Sequence, residues 1–170
     1  MSQDLSSFRP SRLWRRMPLD RRTDAAGLFW EDEHSADQQL EAVAAIANHM
    51  KFRPRSVVSL PVEKKSKYLA SLPTVSDSVA ARALVSYHLE RQRPMMVAFL
   101  DLLGIPHENG LIADETVKKP EADALSTAAS ELATKFPASD VSIYLGTLIS
   151  QDPETWGGLA ESPAAAAPAS

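Results

Sequence analysis

PMMVAFLDLLG, residues 94–104, is apolar on almost every side and lies between a proline and a glycine. Proline suits the first turn of a helix, where its missing N–H would have had no partner, and glycine suits the stop. A helix without a polar face is one packed on most sides. The stretch therefore predicts the central helix of a helical core. Its one charge, Asp101, must reach water or find partners, because an unpaired buried carboxylate is costly.

Working outward, the same 3.6-residue spacing recurs. TVSDSVAARALVSYHLERQ predicts a helix from Ser76 or Asp77 to about 91, with Ala80, Leu84 and His88 on one line. PEADALSTAASELATKF predicts a helix over 120–136 and DVSIYLGTLIS another capped by Ser139 or Asp140, with Trp156 on a last turn. Upstream, SADQQLEAVAAIANHM places Leu40, Val43, Ala44, Ala47 and Met50 at helical spacing over 35–50. Pro54 and Pro61 break the next segment into a short piece and a helix over about 61–71, with Val62, Leu69 and Leu72 facing inward. SRLWRRM at 11–17 forms a short helix stopped before Pro18.

IPHENGLIADETVKK reads as a connection: Asn109-Gly110 is a strong turn signal, and two short strands around 111–117 are an open alternative. No internal repeat is present. Without an alternating strand–helix pattern, the expected fold is all-α, an irregular bundle of about six or seven helices with short connections. The expected organisation is a basic N-terminal arm at 1–22, a single helical domain at 23–158, and a disordered Ala/Pro/Ser-rich tail at 159–170.

Composition removes several functions. The chain has no cysteine, so thiolate catalysis and thiolate metal clusters are excluded. There is no G-x-S-x-G elbow and no glycine-rich phosphate loop, and six glycines in 170 residues argue against dinucleotide binding. MSQDLSSFRP lacks the apolar core of a secretory signal and no run reaches membrane-spanning length, so the expected location is cytoplasmic.

Charge is uneven although the whole carries −4. Residues 1–22 hold six arginines against Asp4 and Asp20, a local +4. Trp14 among Arg12, Arg15 and Arg16 has the composition of an interface anchor, and Trp30, followed by Glu31, Asp32 and Glu33, offers the opposite sign. These residues predict an interaction module that binds protein, in particular a second copy of itself. A second reading is a small-molecule or metal-dependent enzyme using the 88–108 region, with His88, Asp101, His107 and Glu108 as candidate catalytic groups and Arg91 and Arg93 as candidate ligand-binding groups. The spacing matches no recognised metal motif, so neither metal nor cofactor is expected. A third reading is phosphate or nucleic-acid binding by Arg53 and Arg55 in the 51–67 segment, a local +5 with Lys51, Lys64, Lys65 and Lys67 against Glu63. The acidic whole and the lack of interleaved aromatics weigh against nucleic acid.

Overall fold

The computed structural model describes residues 4–112 and 118–166. Contacts divide the chain into two compact units, Pro10–Glu90 and Met1–Arg9 with Arg91–Ser170. Both are helical. No helix among the described residues is long and apolar enough to cross a membrane.

The 10–90 unit contains α1 (Pro10–Arg16), α2 (Leu19–Glu31), α3 (Ala36–Met50), α4 (Pro54–Val58), α5 (Val62–Ser71) and α6 (Asp77–Arg91), whose last residue falls at the boundary. Its spine is the packing of α2 on α5, and Ala25, Ala26 and Phe29 of α2 and Leu69 and Ala70 of α5 are fully buried. The end of α2 is fixed by a distant side chain: Gln39 Nε2 donates to the carbonyls of Phe29, Trp30 and Asp32 at 3.0, 3.2 and 3.1 Å. The Phe29 carbonyl also accepts from the Asp32 N–H at 3.3 Å and the Asp32 carbonyl from the Ser35 N–H at 3.2 Å, so the amide reinforces the C-terminal cap of α2. Helix α3 ends at Lys51, in the left-handed conformation at φ 58°, and the Phe52 N–H returns to the Ala47 carbonyl at 2.9 Å.

The other unit contains α7 (Arg93–Leu103), α8 (Ala122–Lys135), α9 (Ala138–Gln151) and α10 (Pro153–Trp156). Helix α7 buries Met95, Met96, Phe99 and Leu100. Phe99 stands edge-on to Tyr144 at 5.9 Å and tilted against Trp156 at 6.0 Å, so α7, α9 and α10 share one aromatic cluster. Burial pushes the Tyr144 hydroxyl well above the ordinary tyrosine range. Asp152 Oδ1 accepts from the Thr155 N–H at 3.3 Å, capping α10 as its Asp-Pro-Glu start predicts.

The all-α expectation holds, but the helix number is corrected: ten α-helices form among the described residues, rather than six or seven. Three of the ten, α1, α4 and α10, are four to seven residues long, too short for periodicity to register. Helix α2 has a weakly patterned sequence, LDRRTDAAGLFWE, and only its packing on α5 makes its apolar residues a face. Three inward assignments also move: Leu40, Ala44 and Val62 are exposed, with α3 turning Ala42, Val43, Ile46 and Ala47 inward and α5 turning Ser66, Leu69 and Ala70 inward.

In the low-complexity stretch after α10 the chain makes two 3-10 turns, Gly157–Glu161 and Pro163–Ala165, which bury Leu159 and Ala165. Of the strands considered at 111–117, residues 113–117 lie outside the described residues. Upstream of them, Glu108 and Leu111 exchange both backbone hydrogen bonds, at 2.8 and 3.0 Å, around Asn109 (φ 50°) and Gly110 (φ 89°). Two successive positive φ values are what the Asn-Gly pair supplies in a tight hairpin turn.

Candidate functional site

Three surfaces of the 10–90 unit carry chemistry, and the first is a cleft at the C-terminal end of α2. Its volume is about 550 Å³, and its lining comes from α2, α6 and the turn between α2 and α3. Leu28, Val85 and Leu89 form a half-exposed apolar floor, and Glu31, Glu33 and Glu90 stand at the exposed rim. These three carboxylates have no ion-pair partner among the described residues.

The cleft wall is a polar network centred on Asp32. Its Oδ1 accepts from the His34 N–H at 2.8 Å. Its Oδ2 accepts from the Ser86 hydroxyl at 2.9 Å, the Ser35 hydroxyl at 3.1 Å and Arg82 Nη2 at 3.3 Å. Burial by itself raises this carboxyl, but the His34 N–H, the hydroxyls of Ser86 and Ser35 and the Arg82 charge outweigh it, so Asp32 ionises below its ordinary range. The network ties the α2–α3 turn to α6 and explains why Ser35 and Ser86 are buried without being apolar.

The second surface is a cavity of about 220 Å³ where α1 and the start of α2 meet the loop between α5 and α6. Arg12, Arg15 and Arg22 line it with Ser11, Trp14, Leu72, Pro73, Thr74 and Val75. None of the three arginines forms an ion pair among the described residues. Arg15 Nη2 donates to the Pro73 carbonyl at 2.9 Å, and the Ser11 N–H donates to Asp77 Oδ1 at 3.0 Å.

The third surface is the basic face of 51–67. Lys51, Arg53, Arg55, Lys64 and Lys67 are exposed, and so are Phe52, Val58 and Val62. Phe52 meets Tyr68 edge-on at 5.9 Å, which brings the end of α3 beside α5. Lys65 is used differently, with its Nζ 4.8 Å over the Trp30 ring.

The aromatic residues singled out in the sequence are not exposed. Trp14 is 2% exposed and Trp30 9%. Trp30 packs edge-on against Phe29 at 5.1 Å. Of the neighbouring arginines, Arg12 and Arg15 are exposed, while Arg16 is half-buried with Nε and Nη2 lacking a hydrogen-bond partner. Burial pulls the Arg16 guanidinium below its ordinary range.

The residues of 88–108 split between the units. His88, in the 10–90 unit, is buried, and burial pushes its imidazole down to about 4. In the other unit, Asp101 and His107 meet: His107 Nδ1 accepts from the Gly110 N–H at 3.0 Å and Nε2 faces Asp101 Oδ1 at 2.7 Å. Since Nδ1 accepts, Nε2 carries the proton and donates it to Asp101. Both ring nitrogens are thereby occupied in tying the hairpin turn to α7. Arg93 Nη1 donates to the Asn109 carbonyl at 2.6 Å across the same turn, and Glu108 and Arg91 are exposed. No three His, Asp or Glu side chains gather for a metal ion among the described residues.

The Asp32 network was not among the sequence candidates; of the Arg-lined cavity, Arg12, Trp14 and Arg15 were singled out as interface residues, and Arg22 and the 72–75 loop were not. Glu31-Asp32-Glu33-His34 stood out only as a charge run. Ser86, a polar residue on the buried side of α6, is the one local trace of the network in the sequence.

The described residues form an all-α fold. No protein-family model, curated protein or solved structure matches the chain.

Proposed function

We propose that this chain is a protein-interaction module that self-associates, the basic face of 51–67 on one copy entering the acidic cleft of the next. The observation that carries the reading is complementarity within one unit. The cleft offers an apolar floor beneath Glu31, Glu33 and Glu90, and the opposing face offers Phe52, Val58 and Val62 among Arg53, Arg55 and Lys64. Lysine and arginine side chains pack their methylene stems on apolar surface while their heads reach carboxylates, so both terms are satisfied together. The enzyme reading lacks a base of this kind, because both nitrogens of His107 are engaged.

A contact between unlike faces is head-to-tail, so it grows into rings or open chains rather than stopping at a symmetric pair. Sedimentation of the full chain tests it. Association should weaken on raising salt from 50 to 500 mM, because the contact depends on partly exposed charge. E31K/E90K and R53E/K64E should each be monomeric alone, and mixing the two should yield one-to-one dimers, since each variant keeps the face that the other lacks. A monomeric wild-type chain at low salt and high concentration overturns the reading, as does association that both variants retain.

A further inference from the structure

We infer that the cavity ringed by Arg12, Arg15 and Arg22 is a binding site for a phosphate group, free or carried as a monoester. Three guanidinium groups line one cavity without a carboxylate among its lining residues, and none forms an ion pair among the described residues. Asp77, which follows the lining loop, has its Oδ1 held by the Ser11 N–H. Arg15 is positioned by its bond to the Pro73 carbonyl, which leaves its remaining N–H groups for a ligand.

Two lining side chains also hold donors that the protein does not satisfy. Trp14 Nε1 and Arg22 Nε are buried without an acceptor. Buried donors are ordinarily paired, so these two mark a region beside the cavity where the protein supplies too few acceptors, and the three cations lining the cavity lack a negative charge. The hydroxyls of Ser11 and Thr74 line the same space.

Size and charge select the class. About 220 Å³ is below the usual range for a whole small-molecule ligand and suits a single polar group. A carboxylate brings one charge and two coplanar oxygens. A phosphate monoester brings nearly two charges and three strong acceptor oxygens, and arginine forks match its geometry. Phosphate free in solution and phosphate on a serine or threonine side chain share this chemistry.

Titration of the full-length wild-type chain, followed by phosphorus NMR and calorimetry, decides the matter. The probes are inorganic phosphate, N-acetyl-O-phosphoserine amide, sulfate and acetate. Saturable binding of at least one phosphate probe, tenfold or more tighter than acetate, is expected. Affinity for that probe should rise between pH 5 and 7, as a phosphate with its second pKa near 6 becomes a dianion. Sulfate, with no proton to lose there, should stay flat. R12A/R15A, at exposed positions, should keep its helical circular dichroism and lose at least tenfold in phosphate affinity. R22Q provides a second variant with the same expected direction. Tighter binding of the phosphoserine probe identifies a side-chain phosphate as the ligand, and tighter inorganic phosphate identifies the free ion. No saturable phosphate binding by the wild-type chain, or undiminished binding by folded R12A/R15A and R22Q, overturns the inference. Neither result bears on the sedimentation test, which uses different residues.

Discussion

His88 shows what a single residue can contribute through burial alone. The imidazole sits among Tyr87, edge-on at 5.9 Å, and the apolar inward face of α6, where its charged form is expelled. Its pKa is pushed down to about 4, whereas an unfolded chain takes up the same proton near 6.5. The unfolded state therefore binds more protons below pH 6.5. Stability from this residue is complete above that value and is lost as pH falls from 6.5 towards 4, amounting to about 3 kcal/mol across the window. Denaturant unfolding measured every half unit from pH 4 to 7 should show this slope, and H88Q should flatten it whatever its absolute stability. An unchanged slope in H88Q assigns the acid sensitivity to another group. Asp32 acts in the same sense at lower pH: its depressed pKa gives stability that is lost as pH falls through the ordinary carboxylate range, near 4.

Elements are closed here by caps and turns, and the two glycines flanking the α7 exit separate strain from space. Gly104 ends α7 at φ 68° with nothing within 4 Å of an added Cβ, so G104A should cost only the strain of a left-handed alanine, about 1 kcal/mol. Gly110 sits at φ 89°, and an added Cβ would come within 2.9 Å of Met96 Cβ. G110A must therefore displace the first turn of α7 as well as strain the hairpin, and should cost about 2–4 kcal/mol. Thermal melts of the two variants against wild type check the order, and equal shifts would remove the steric account. The same hairpin answers the question raised by Asp101: the carboxylate both reaches the surface and finds a partner, His107, which sequence could place six residues away but could not turn towards it.

At the scale of the whole molecule, charge follows the units rather than the termini. Residues 10–90 hold twelve Lys and Arg against ten Asp and Glu, or +2, leaving −6 on the remainder. The six N-terminal arginines are thereby divided: Arg12, Arg15, Arg16, Arg21 and Arg22 belong to the 10–90 unit, and Arg9 to the other. Because the 10–90 unit has its own buried set, including Phe29, Leu69 and Leu84, residues 10–90 expressed alone should fold. Circular dichroism with native helix content and a cooperative melt is the expected result, and a coil spectrum would show that its core is incomplete without the remainder.

The sequence determined what depends on near neighbours. Helical periodicity marked α3, α5, α6, α7, α8 and α9, proline and glycine marked their starts and stops, and Asn109-Gly110 marked its turn, because each signal lies within a few residues of its effect. Helix α2 escaped it, since LDRRTDAAGLFWE carries no clear apolar period, while the short α1 was marked by Pro18 beyond its end rather than by periodicity. Charge runs were legible as composition, yet their meaning was not. Tertiary structure alone decided that Trp14 is buried and that Asp32 gathers Ser35, Arg82 and Ser86. It also decided that Arg12, Arg15 and Arg22 share a cavity with a loop some fifty residues on. Such groupings arise from long-range packing, in which the apolar area buried by α2 against α5 sets the rotation of each helix, and the polar side chains are carried to wherever that rotation leaves them.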